Sequence, residues 1–296
     1  MLGWIPVLDI RSYQCLDCGA LMTMKPALQF LDKKQIHWTG IVRFIRKKPL
    51  GATGAFILGM MLFAAVFANQ VAPYDPLSID LVTQFSRPGF EHPFGSDYLG
   101  RDVLSRVIHG ARVSLFVGTL TAVIGVSVGA VLGVLSGYLG GWIDLVVQRL
   151  VDGLQAFPMI ILVLVIITTL GPSLINAIVA ISAILMTYTV RVARGHTLSI
   201  KENMYVEAAY VIGASKLRVM VRYILPNIAA PLVILGSIWF ANAVIIEASL
   251  SFLGLGTQPP TPSWGRMLSV EGRVYMERAP WLALFPGMAI SLVVLS

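Results

Sequence analysis

Charge is scarce in this sequence. Asp, Glu, Lys and Arg make up 12% of its 296 residues, against about 25% in an ordinary soluble domain. Hydrophobic residues make up 56% and the mean hydropathy is +0.79. So few polar side chains cannot clothe a soluble surface of this size, and the chain reads as an integral membrane protein. Cysteine is almost lacking. Cys15 and Cys18 form a single Cys-Leu-Asp-Cys, half of a zinc site or a redox pair, with no second pair and His37 as the nearest histidine. There is no Gly-Lys dipeptide anywhere, so no P-loop can cradle ATP in this chain. There is no His-Glu-x-x-His for a metallopeptidase. The middles of the long apolar runs hold no Asp, Glu, Lys, Arg or His, which disfavours a proton- or sodium-coupled transporter. No filter sequence or ring of charge suggests a channel. The runs are continuous and do not alternate, which argues against a membrane barrel and for helices.

Six such runs are present. Arg43, Arg46, Lys47 and Lys48 precede the first, Leu50 to Val71, and put its N-terminal side in the cytoplasm. Pro73 and Pro76 stop it, and a polar outer segment follows. Within that segment Asp102 and Arg106 are spaced as an i,i+4 pair on a short interfacial helix. His92 and His109 could ligate a metal, but histidines in such loops are ordinarily just polar. The second span, Val113 to Leu135, carries Gly125, Gly129 and Gly133, with Gly137 beyond its end. One small residue per four places a bare stripe on one face for close helix approach. The third span, Asp144 to Leu170, is expected to kink at Pro158. The fourth is Leu174 to Val190 and the fifth Ile228 to Ile246. Glu247 to Pro280 returns outside, and Trp281 to Leu295 begins a sixth span too short to cross in full. Fifteen of the 22 Lys and Arg fall on the cytoplasmic side of this scheme.

One charged stretch interrupts the apolar pattern, Ser199 to Pro226. Ser199-Ile-Lys-Glu202 has the spacing of a capping box and predicts a helix from Ile200 to Ile212, about 20 Å long. Gly213 permits a break, Ser215 caps a second short helix, and Pro226 ends it. On these grounds alone a cytoplasmic linker and a docking surface are equally good readings.

Glu207-Ala208-Ala209, then Gly213, then Leu225-Pro226 resembles the EAA signature of ABC importer permeases, with Tyr223 where an aliphatic residue is usual. His92 to Leu115 and Glu247 to Leu268 resemble segments of the dipeptide/oligopeptide/nickel branch of that family, and the resemblance covers about Trp38 to Ser296. It implies an all-α, polytopic fold of six transmembrane helices, the type I importer permease fold, with the sixth helix truncated at Ser296. It implies three regions: an N-terminal extension (1–40) of low order, a first-helix and outer-loop region (41–110), and a permease domain (111–296).

By resemblance, Glu207, Ala208, Ala209, Gly213, Leu225 and Pro226 couple the chain to an ATPase. The chain would be the C-type pore subunit of a peptide importer, multi-pass in the cytoplasmic membrane with its N-terminus inside, and no enzyme. Its partners would be a homologous B-type permease, two ATPase subunits and an extracytoplasmic binding protein, with lipid around it and no nucleic acid. The chain itself would hold no metal or cofactor, ATP and magnesium being bound by the ATPases. Import of nickel or another small solute is the alternative with the same architecture. A secondary transporter and a membrane scaffold are the alternatives outside it.

Overall fold

The computed structural model describes residues 48–296, so Cys15, Cys18 and the N-terminal extension lie outside the described residues. The described chain is helical throughout, apart from loops and one isolated bridge between Ser96 and Asp102. α1 (Pro49–Val66) and the short α2 (Ala68–Val71) form the first apolar rod. Arg112, from a neighbouring helix, donates to the carbonyls of Ala65 and Val66 at the end of α1, where free carbonyls need donors.

α3 (Val103–Leu139) is 37 residues long, about 56 Å. The separate interfacial helix expected before Val113 is its first three turns, and the boundary drawn at residue 110 falls inside it. Asp102 sits at the N-cap, accepting from the Ser105 N–H at 2.8 Å. Its carboxylate is therefore committed to the cap, and it faces His92 Nδ1 at 2.9 Å. The expected Asp102–Arg106 pair does not form; Arg106 turns to Glu271 and Asp97. Gly140 ends the helix at φ 65°.

The third run is sharply broken. α4 (Gly141–Gln155) and α5 (Met159–Leu170) meet at 92° across Ala156-Phe157-Pro158. A kink was expected here; a proline also disfavours helical backbone at the residue before it, and the axis turns fully. α6 (Leu174–Lys201) starts at Ser173, whose side chain accepts from Asn176 N–H, and runs well beyond Val190. α7 (Met204–Val211) and α8 (Lys216–Val219) are short. A wide helical turn, Met220–Ile224, leads into α9 (Leu225–Phe252). α10 (Trp264–Arg266) and α11 (Trp281–Leu295) follow.

Among the described residues four rods are long and apolar enough to cross a membrane: α1, α3, α6 and the continuous stretch Lys216–Phe252. The bent α4–α5 pair makes a fifth if it counts as one span, and α11 is a shorter apolar helix of 15 residues. The six apolar runs of the sequence thus appear as four full spans, a broken one and a short one.

α3 and α6 pack along the glycine stripe. A Cβ on Gly129 would lie 2.5 Å from Thr189 Cβ, and one on Gly133 would lie 2.6 Å from Ala193 Cβ and from the Val190 carbonyl. Only a bare α-carbon lets the two backbones come this close. Gly125-Val126-Ser127-Val128-Gly129 happens to carry the letters of a hydrolase nucleophile elbow. It lies in mid-helix, not at the strand-to-helix turn that chemistry needs, and its glycines face α6.

Candidate functional site

The charged stretch forms a compact tip at one end of the bundle. The capping box does not exist as such. Ile200 and Lys201 are the last residues of α6, and Glu202 is its C-cap. α7 starts one turn later, after Asn203. The physical reason is that α6 extends past the apolar run, and its polar last turns continue the same rod.

The end of α7 follows the expected logic closely. Gly213 has φ 80°, Gly213 N–H donates to Tyr210 O at 3.0 Å, and Ala214 N–H donates to Ala209 O at 3.0 Å. That pair of bonds is a Schellman motif, which needs a left-handed residue where Gly213 stands. Ser215 then caps α8 by accepting from the Arg218 N–H. Pro226 does not end the helix. It sits in the first turn of α9, where a missing N–H is tolerated. The wide turn before it takes up the register change, and Asn227 Nδ2 donates to the Tyr223 carbonyl.

The six expected coupling residues divide into two sets. Ala209 is buried, and with Val206 it packs on Ala130 and Val134 of α3, Ala193 of α6 and Ile224 and Ile228 beyond; Leu225 packs partly on the same cluster. Glu207, Ala208, Gly213 and Pro226 are exposed. The apolar anchor thus holds α7 to the bundle, while the carboxylate of Glu207 and the flat Ala208 face outward. Around them Met204 is 87%, Val211 80% and Ile212 80% exposed, and Leu217 is exposed as well. Beside α7 a cleft of about 590 Å³ is lined by Tyr138, Lys201, Glu202, Glu207, Tyr210 and Lys216.

α4 is fastened behind this tip. Arg194 of α6 makes two 2.6 Å bonds to the Asp144 carboxylate, Ser136 donates to Asp144, and Arg191 reaches Asp152 at 2.6 Å. A paired guanidinium and carboxylate fix orientation as well as proximity.

The opposite end carries a buried charge cluster that pattern reading missed. Glu271 Oε1 accepts from Arg101 and Arg106, each at 2.7 Å, and Asp97 accepts from Arg101 Nε at 2.6 Å. Burial pushes the Glu271 carboxyl above its ordinary range, and the Arg106 guanidinium opposes that shift. Trp264 Nε1 donates to Val107 O and Trp281 Nε1 to Ser96 O, tying the two loops of this end to α3 and α11. Arg101 and Glu271 are 170 residues apart; no local spacing could have paired them. Among the described residues no three His, Cys, Asp or Glu converge in a metal-binding arrangement, and His109 bonds the Ser105 carbonyl instead.

An all-α bundle of apolar rods, ending in a charged and apolar tip with exposed Glu207 and Ala208, belongs in a membrane, and its relatives give its class. The model of the binding-protein-dependent transport system inner membrane component matches residues 129–296, and that of the N-terminal TM domain of oligopeptide transport permease C matches residues 37–88. Glutathione transport system permease protein GsiD of Escherichia coli O6:K15:H31 is 39% identical over 279 residues, covering 94% of this chain and 90% of the relative. GsiD of Shigella dysenteriae serotype 1 is 40% identical over the same length. The chain belongs to the binding-protein-dependent transport system inner membrane component family. It is a pore-forming permease subunit of an ABC importer and a multi-pass protein of the inner membrane, in a system that includes an ATPase and a binding protein.

Proposed function

We propose that this chain moves small peptides inward, and that α7 with Gly213 is the element on which a separate ATPase pulls. The observation that carries this reading is the exposed apolar tip. Met204, Val211, Ile212 and Leu217 stand out of the bundle in a segment with Lys201, Glu202, Glu207, Lys216 and Arg218, which is too charged to lie in hydrocarbon. An apolar patch rimmed by charge is a protein-docking surface. Glu207 supplies an acidic contact for a basic group, Ala208 permits close approach, and Ala209, with Leu225, passes force to α3, α6 and α9 through the cluster beneath. Gly213 and Pro226 shape the turns at either side of α8.

In this reading the tip and the N-terminus lie in the cytoplasm, as the excess of Lys and Arg on that side favours. A homologous B-type permease completes the pore. Two ATPase subunits bind ATP and magnesium and provide all the chemistry; this chain contributes the path and the lever. Closure of the ATPases draws the tips together, the outer mouth opens to the loaded binding protein, and hydrolysis resets the pore. Peptide as the substrate class rests on the oligopeptide permease model and on relatives named for glutathione, a tripeptide.

The test is Glu207→Arg in the complete complex reconstituted in vesicles, with peptide uptake measured beside membrane insertion. Uptake is expected to disappear while the chain stays inserted and its partner permease still co-purifies. Normal uptake by the inserted variant would overturn the coupling assignment.

A further inference from the structure

Glu247 lies inside α9, about one and a half turns from its end, and is wholly buried. The run that looked free of charge up to Ile246 is followed immediately by a carboxyl group that the same helix carries into the protein. Its contacts are all hydroxyls. Ser251 Oγ donates to Oε1 at 2.7 Å, Thr257 Oγ1 to Oε1 at 3.2 Å, and Ser114 Oγ of α3 to Oε2 at 3.2 Å. Among the described residues no basic side chain pairs with it, in contrast to Glu271 at the same end of the bundle. A carboxyl group buried away from any cation is costly to place there.

The hydroxyls come from three pieces of chain: α3, α9 and the turn that follows α9, where Ser263 joins Thr257 beside the carboxyl group. That turn folds straight back. Leu255 and Gly256 N–H both donate to Leu250 O, and Thr257 N–H donates to Ser251 Oγ. Gly256 lies so close to Ser251 that a Cβ there would sit 2.8 Å from the Ser251 nitrogen. Leu255 tucks against the apolar cluster of Val163, Ile167, Ile181 and Leu185. Just below, α3 and α9 touch where a Cβ on Gly118 would come within 2.7 Å of Val244. Past that contact they part into a groove of about 430 Å³ lined by Thr119, Val126, Leu232, Gly236 and Phe240. Along both helices, Glu247 and the Gly118 contact lie between this groove and the end that carries Glu271.

We propose that Glu247 is the tether of the outer gate: its carboxyl group holds the turn 253–263 down on α3 and α9, and transport requires that tether to release into water. Exposure makes the arrangement two-state. With the turn down, hydroxyls satisfy the carboxyl group; with the turn raised, it can ionise and is better solvated by water. An amide of the same shape can stay among the hydroxyls but cannot ionise in water, so it holds the gate shut. Removing the Thr257 hydroxyl does the reverse. Glu247 is a positioning residue in this account, and the inference rests on the importer reading above.

The experiment uses the reconstituted complex with Cys15→Ser, Cys18→Ser and a Leu255→Cys reporter, labelled by a membrane-impermeant maleimide. Labelling of the parent is expected to rise at least fivefold when ATP and loaded binding protein are added. With Glu247→Gln it stays at the resting level and peptide uptake falls at least tenfold. With Thr257→Val it is already high without ATP. A Glu247→Gln complex that labels and transports like the parent would overturn the tether, as would a Thr257→Val complex labelled no more than the resting parent. ATPase co-purification is scored in the same preparations. A parent complex without bound ATPase overturns the coupling reading and the tether with it; one with ATPase and an unaltered Gln variant overturns the tether alone.

Discussion

Placing a single methyl group along α3 reads out how tightly this bundle is packed. At Gly129 a Cβ would meet Thr189 Cβ at 2.5 Å and the Met186 carbonyl at 2.8 Å; at Gly133 it would meet the Val190 carbonyl at 2.6 Å. Backbone atoms cannot rotate away, so α6 must shift as a whole. Such overpacking costs about 1–3 kcal/mol, against a gain of about 1 kcal/mol when Ala replaces Gly in a helix. Gly195 of α6 and Gly153 of α4 have nothing within 4 Å of the new Cβ, so they should show only the gain. Both pairs share that gain, so the separation between them is the overpacking cost alone, about 1–3 kcal/mol. At about 2–4 °C per kcal/mol for a chain of comparable size, that is a gap of roughly 2–12 °C in unfolding midpoint. Gly125→Ala and Gly137→Ala, with nearest contacts of 3.2 and 3.0 Å, belong in between. Thermal unfolding of the six alanine variants in one detergent checks the order. If Gly129→Ala and Gly133→Ala melt no lower than Gly195→Ala, the close-packing argument is wrong.

Two further outcomes follow from the ion pairs. Arg106→Met leaves Glu271, among the described residues, with Arg101 as its one bonded cation in a buried site; breaking a buried pair costs about 3–5 kcal/mol, and the yield of folded protein in detergent should fall, with partial recovery in Arg106→Met/Glu271→Met. Asp144→Ala removes the partner of a partly exposed Arg194, which is worth about 1 kcal/mol at most, so the melting temperature should change by no more than a few degrees.

What could be read from the sequence was local. The glycine stripe declares itself because one residue in four marks one face of a helix, and the structure puts α6 there. Gly213 and Ser215 were equally legible, since a left-handed turn and an N-cap each depend on a few neighbouring residues. Ser199–Glu202 failed for the opposite reason: the letters suit a helix start, but α6 was already running through them. Pro226 failed because a wide turn ahead of it absorbed what would otherwise end a helix. At Pro158 only a kink was legible; beyond it, α4 is also held by Arg194 on Asp144 and Arg191 on Asp152, pairs 50 and 39 residues apart in sequence. Asp102 looked like a partner for Arg106 on spacing alone; the true partner of Arg106, Glu271, is brought in by the fold. Glu247 was assigned to a loop because its charge seemed to end the span, and only its burial among hydroxyls reveals it as part of the rod.

The docking of an ATPase on α7 is the claim on which the rest depends. Ala208→Cys, in a chain with Cys15→Ser and Cys18→Ser, places a thiol on the exposed face of that helix, beside Glu207. The most direct measurement is a short bifunctional thiol–amine cross-link in membranes holding the complete transporter. The account expects a product of this chain joined to the ATPase subunit, and its loss when Gly213→Trp distorts the turn. Cross-linking to other proteins or to none, while the same complex still transports peptide, would contradict it.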